Sequence, residues 1–329
     1  MKDKMLLFKQ TLGHFCVDAC CAAVVISGTY TIFDAVKFFV LYNFLAFCLQ
    51  PLAGILLDKF KKIDYRRYIL SSFILLLLGF IPDLNIWVRV VLVGIANCLF
   101  HVGGGTIILT ESKNKLAPLG IFVSSGAVGL MLGTMFANSI ICHALLIIAL
   151  IELISMNIKL PKQTMPATRS SIHLGVAALL CLCVVIRSFM GFMPLTTFTK
   201  APWIIVMITL CVFLGKSLGG ILCDRFGIRK TVIVSTIFVL GLFLLSFNNP
   251  YLWSIVQVIV NLSMPITLYL MYKSMPKYPA FSFGLAAACL VFGLLATLPV
   301  QNLGIPAVYL LGLFVINSVL ILYAERKLK

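Results

Sequence analysis

His14 and Asp18 stand one helical turn apart in "HFCVDACCA", a stretch otherwise made of Phe, Val, Ala and Cys. At that spacing the two side chains share one face of a helix. A carboxyl whose access to water changes also changes its hold on a proton, so Asp18 could load and release one, with His14 as relay or hydrogen-bond partner. The alternative is a fixed structural pair, because membrane proteins also bury static polar partners. Arg187 stays charged at any physiological pH and can grip an anion through its planar fork, as a substrate contact or a partner for Asp18. His101 is followed within four residues by Gly103, Gly104 and Gly105, which invite a bend or a close helix contact, and its imidazole could meet a substrate. Gln257, Asn261, Pro265 and Tyr269 recur every four residues, a hydrogen-bonding stripe with a kink expected at the proline.

The elements that must position these residues are set by composition. Apolar residues make up 61% of the 329 and charged residues 11%, with a mean hydropathy of +1.10, so the solvent of this chain is mostly lipid. Apolar runs long enough to cross about 30 Å of hydrocarbon recur with short polar breaks. Twelve are counted, including a short third run at Arg67–Ile81 and a sixth at Ser139–Ile158. The first run passes straight through Asp18 without a cleavage signal, so it is expected to stay in the membrane. The formal charge of +16 does not point to nucleic acid, because 21 of the 26 Lys and Arg fall in alternate loops. With twelve crossings those loops lie on one side, which puts both termini in the cytoplasm. All eleven cysteines sit in or at the ends of the apolar runs, where they read as small packing residues.

Charges inside hydrocarbon cost at least about 2.5 kcal/mol each on insertion scales, so survivors face a cavity or a partner. They are Asp18, Arg89, Glu152, Arg187 and Lys216, with His14, His101 and His143 beside them. Arg89 is near the outer end of its span and reads as snorkelling. Glu152 reads as a structural or interfacial acid.

The chain is also written twice. "PLAGILLDKF" at Pro51–Phe60 and "SLGGILCDRF" at Ser217–Phe226 share Leu, Gly, Ile, Leu, Asp and Phe in register, with Asp58 and Asp224 166 residues apart. The expected organisation is therefore a six-helix half at 1–158, a Pro-bearing cytoplasmic linker at 159–171 and a second six-helix half at 172–329. Gly54, Gly219 and Gly220 allow close helix approach. Asp58 and Asp224 can accept from a facing helix N-terminus or pair with loop bases such as Arg225 and Arg229, forming a latch that opens when the halves rock.

The repeated Gly–Leu–Asp–basic signature resembles that of the major facilitator superfamily, with "GGILCDRFGIRK" the fuller copy. "GHFCVD", "CLFH", "SSGAVGLMLG", "IRSFMGFMP" and "GKSLGGILCDRFG" are similar to segments of the fosmidomycin-resistance type of exporter. Thr134 stands where the antiporter-type motif has Pro, and Val102 follows His101 where relatives often have Pro. The resemblance implies an all-α membrane protein of two six-helix repeats in which the first, fourth, seventh and tenth spans line a central cavity. It implies a conformational latch at Gly54, Asp58, Gly220, Asp224, Arg225 and Arg229.

Nothing in the sequence resembles a phosphate-cradling loop, and the loops are too short to fold a nucleotide domain, so ATP is not the expected energy source. The expectation is a proton-coupled secondary transporter, exporting a small polar or anionic, including drug-like, solute. Asp18 and His14 are the proton-coupling candidates, and Arg187, His101, Gln257, Asn261 and Tyr269 are the substrate-binding ones. An importer of a nutrient or metal ion is the alternative, with Asp18, His14 and Cys98 as convergent ligands. A membrane-embedded redox or metal enzyme is disfavoured, because the histidines lack pair spacing. No cofactor and no nucleic acid are expected, and the chain is read as a monomer in the bilayer of a bacterial cytoplasmic membrane.

Overall fold

A computed structural model describes residues 2–29, 31–60, 64–137, 144–148, 150–151, 171–192, 201–246, 249–300, 305 and 307–329. The helices are α1 (Lys2–Ser27), α2 (Ile32–Asn43), a π-helical turn at Phe44–Cys48, α3 (Gln50–Lys59), α4 (Tyr65–Gly79), α5 (Ile86–Glu111) and α6 (Ala117–Met135). They continue with α7 (Leu174–Phe192), α8 (Pro202–Phe226), α9 (Ile228–Ser246), α10 (Pro250–Asn261), α11 (Ser263–Ser274), α12 (Pro279–Thr297) and α13 (Ala307–Lys327). Among the described residues, nine helical stretches are long and apolar enough to cross a membrane. One runs unbroken from Phe33 to Lys59 through the π turn, and another joins α10 to α11. The third expected span is α4, 15 residues or about 22 Å long, and the ninth is α9. The expected sixth span, with Glu152 and His143, and the linker up to Ser170 lie outside the described residues, apart from residues 144–148 and 150–151.

Local chemistry sets the helix starts. Thr31 accepts from the Asp34 N–H, Asp64 from the Arg67 N–H, and Asn249 from the N–H groups of Tyr251 and Leu252, with Pro250 at the first helical position. Many large apolar side chains lie outside, among them Phe33 at 69% and Phe238 at 67% exposure, as a lipid-facing surface requires.

The chain divides into two compact units. The first comprises residues 1–111, 125–168 and 277–288, and the second residues 112–124, 169–276 and 289–329. In the first, α4 packs along α5, with Ile69, Phe73, Leu76, Phe100 and Ile107 fully enclosed. In the second, Ile186, Met190, Ile208, Val239, Trp253, Val256 and Phe314 form the core.

The sequence repeat is a repeat in structure. In the first unit both oxygens of the Asp58 carboxylate accept backbone N–H groups at the start of α12, from Ala280 at 3.1 Å and Phe281 at 2.8 Å. In the second unit Asp224 does the same at the start of α6, accepting from Leu116 at 2.8 Å and Ala117 at 3.0 Å. Each carboxylate thus takes up donors that a helix N-terminus leaves unpaired, where the helix dipole favours negative charge. The glycines sit at the same crossings. A Cβ on Gly54 would strike the Ala280 backbone, and one on Gly284 the Gln50 backbone. The counterparts are Gly220 on the Leu116 backbone and Gly120 on the Lys216 backbone. Of the two arrangements open to the aspartates, capping is the one present. No ion pair joins Asp224 to Arg225 or Arg229 among the described residues, and Arg225 lies over the Phe226 ring at 5.2 Å.

Asp58→Ala leaves two buried N–H groups without acceptors, which costs about 2 kcal/mol. Asp224→Ala, at an exposed cap, costs less. Melting of the two variants in detergent is expected to rank Asp58→Ala as the less stable, and equal melting temperatures would refute the ranking.

Candidate functional site: a buried carboxylate and two imidazoles

α1 and α5 pack along each other in the first unit. On α1, His14 and Asp18 share a face as their spacing requires, with His14 Nε2 3.3 Å from Asp18 Oδ2. α5 brings Asn97 and His101, also four residues apart, to the same place. Asn97 Nδ2 donates to Asp18 Oδ1 at 2.7 Å. His101 Nε2 lies 3.7 Å from that oxygen and 2.8 Å from His14 Nε2. All four residues are buried, none more than 9% exposed. Phe100 stacks on His14 at 6.4 Å between centroids, and Phe47 of the π turn meets the His101 ring edge-on at 5.8 Å.

The protons follow from the partners. His101 Nδ1 lies 3.0 Å from the Asn97 carbonyl, which can only accept, so Nδ1 carries a hydrogen. In neutral His101, Nε2 is then a lone pair, and the 2.8 Å contact requires a hydrogen on His14 Nε2. His14 Nδ1 consequently accepts from the Ser125 hydroxyl of α6, 3.3 Å away. One proton thus lies between two facing nitrogens, beside a carboxylate. Among the described residues, Cys21 and Tyr42 are also close enough to interact with Asp18.

Gly126 closes the site from α6. A Cβ there would fall on Asp18 Oδ2 and His14 Nε2, so the helix comes this close only with glycine. Gly129 and Gly133 continue the contact against the backbones of Phe15 and Ala19. Gly126→Ala is expected to push α6 away and to change the chemical shifts of both imidazoles in NMR of histidine-labelled protein. Unshifted resonances would count against this packing.

Other expected site residues fall elsewhere. In the second unit Arg187 of α7 is 4% exposed, with Nη1 against Met264 Sδ and Nε without a hydrogen-bond partner. No carboxylate pairs with it among the described residues, and Asp18 draws its own partners from α1 and α5. Asn261 Nδ2 donates to the Gln257 carbonyl at 2.9 Å and lies 3.3 Å from its Oε1, while Gln257 Nε2 is buried without a partner. No hydrogen bond joins either amide to Arg187. Tyr269 stands apart, beside the Lys273 ammonium at 5.5 Å. The helix is interrupted at Leu262, between α10 and α11, where Pro265 has no N–H to offer the Asn261 carbonyl. Arg89 donates from Nε to the Gly79 carbonyl at 2.9 Å.

His101, expected at a substrate contact, lies beside Asp18, and Cys98 is not in that cluster of possible metal ligands. Asn97 and Ser125 were missed by the sequence reading. The only signal for Asn97 is its four-residue spacing from His101, and Ser125 had none beyond its place before Gly126.

No protein-family model matches the sequence, and no curated protein matches it. Solved structures do. The E. coli fucose:proton symporter is similar over 98% of this chain and 97% of its own, at 13% identity and a TM-score of 0.75. A structure of FucP, a major facilitator superfamily transporter, in the outward conformation matches over 97% of each chain at 13% identity and a TM-score of 0.72. A bacterial homologue of the iron transporter ferroportin, in an outward-facing state, covers 100% of this chain and 98% of its own at 13% identity and 0.62. These are transporters and not enzymes. Apolar helices along the chain, a carboxylate cap present in each compact unit and likeness over nearly the full length to such proteins make this a multi-pass membrane protein with the major facilitator fold.

Proposed function

We propose that the protein is a secondary active transporter that exports a small polar or anionic organic solute, drug-like solutes included, by alternating access coupled to protons. The observation that carries the reading is the Asp18 carboxylate buried against two imidazoles, which apolar surroundings retain at a cost only where the charge is used or matched. Asp18 and His14 exchange the coupling proton. Arg187, His101, Gln257, Asn261 and Tyr269 contact the solute, with the unpaired Nε of Arg187 and Nε2 of Gln257 as donors suited to an anion. Gly54, Asp58, Gly220, Asp224, Arg225 and Arg229 form the latch, whose caps break and re-form as access changes side.

The reading includes twelve crossings, both termini in the cytoplasm, a six-helix half at 1–158, a linker at 159–171 and a second half at 172–329, in a monomer in a bacterial cytoplasmic membrane. It draws on a fold shared with a protein described as a fucose:proton symporter, although that name does not give this chain its solute or direction. Susceptibility and growth phenotypes of a deletion strain would nominate solutes. Flux of those solutes into inverted vesicles is then measured under an imposed pH gradient. Accumulation that collapses when the gradient is removed is the expected result, and flux indifferent to pH would overturn proton coupling.

A further inference from the structure

The two imidazoles face each other through Nε2, and each uses its other nitrogen elsewhere. His101 Nδ1 is held by the Asn97 carbonyl and His14 Nδ1 lies beside the Ser125 hydroxyl. That is the arrangement that orients histidines as metal ligands, with the outer nitrogen fixed by a carbonyl or hydroxyl and the inner one aimed at the ion. The Asp18 carboxylate completes the group, with Asn97 Nδ2 fixing one of its oxygens. The possible ligand atoms of all three residues lie within 4.8 Å of one another. Bonds of about 2.0–2.1 Å at tetrahedral angles place ligand atoms about 3.3 Å apart. Here His14 Nε2 lies 2.8 Å from His101 Nε2 and 3.3 Å from Asp18 Oδ2, and His101 Nε2 lies 3.7 Å from the other carboxylate oxygen, Oδ1, so the separations bracket that value and the two imidazoles must part by about half an ångström to take an ion.

We propose that His14, Asp18 and His101 form a binding site for a divalent first-row transition-metal ion, held by the two Nε2 atoms and the Asp18 carboxylate. Two imidazoles and one carboxylate suit zinc, iron or cobalt, whereas calcium and magnesium demand a shell of oxygens. The ion takes the place of the hydrogen between the two nitrogens, and His14 then carries its hydrogen on Nδ1 and donates to Ser125. Gly126 closes the group from the α6 side, where a methyl group would overlap Asp18 Oδ2 and His14 Nε2. The inference rests on the geometry of the cluster and not on the transport reading.

The test uses the purified full-length protein in detergent, loaded with Zn²⁺ or Co²⁺ and desalted. The expected result is one Zn²⁺ per folded chain and a Co²⁺ visible spectrum of nitrogen and oxygen ligation without thiolate charge-transfer bands. His14→Gln and His101→Gln should each weaken Zn²⁺ binding by more than about 100-fold, and Ser125→Ala by about tenfold, because the serine only orients a ligand. Their folding is checked by melting without metal. A folded wild-type protein that retains no Zn²⁺ would overturn the proposal, as would thiolate bands or binding unchanged in the histidine variants. The Co²⁺ spectrum of the wild-type protein decides the matter even if both variants misfold. Vesicle flux is a separate measurement, so loss of proton coupling with metal bound in full, or the reverse, tells the two readings apart.

Discussion

Asp18→Asn is expected to abolish gradient-driven accumulation of solute while leaving solute exchange or binding partly intact. The amide has almost the shape of the carboxylate and can still accept from Asn97 Nδ2, but it can neither take up a proton nor attract one between His14 and His101. Coupling is lost with the charge, whereas the helix packing around Gly126, Gly129 and Gly133 has no reason to change. The measurement compares net accumulation under a pH gradient with equilibrium exchange of labelled solute in the same vesicles. Accumulation at the wild-type level would remove Asp18 from the coupling step. Asp18→Ala is a different experiment, because it leaves the buried Asn97 amide without its acceptor, at about 1–3 kcal/mol.

The second large effect is expected at Arg187. A guanidinium that is 4% exposed, with no carboxylate partner among the described residues and an unpartnered Nε, is a liability for stability. Exchanging a buried charge for a well-packed apolar group of similar volume is often neutral or stabilising by about 1–4 kcal/mol. Arg187→Met should therefore melt at the wild-type temperature or above it, yet fail to transport. Arg187→Lys should keep a positive charge but lose the planar fork, and so recover only part of the flux. Melting and flux move in opposite directions if the arginine serves the solute. A variant that loses both would make Arg187 a structural residue, and one that transports normally would remove it from the solute path.

How far the sequence reveals this arrangement depends on the range of each contact. His14 and Asp18 are legible because a four-residue step fixes their common face in any helix. Asp58 and Asp224 are legible because two ten-residue strings share six residues in register. What they bind is less so: Ala280 and Phe281 lie 222 and 223 residues from Asp58 and offer only backbone N–H groups, which every residue but proline has. His101 reaches His14 across 87 residues, and nothing in "CLFH" distinguishes an imidazole facing an acid from one facing a solute. The polar stripe from Gln257 to Tyr269 has the right period but divides at Leu262. Pro265 interrupts the hydrogen-bond ladder there, so the paired amides are on α10 and Tyr269 is on α11 beside Lys273. Composition alone carries the membrane assignment, since lipid demands apolar helices before it demands any particular contact.

At the crossings of α3 with α12 and of α6 with α8, glycine meets main chain, and a Cβ on any of the four would strike backbone that cannot swing aside as a side chain can. Under the proposed latch, the four N–H bonds to Asp58 and Asp224 would act as detents on these close tracks, and an alanine at Gly54 or Gly220 would jam them.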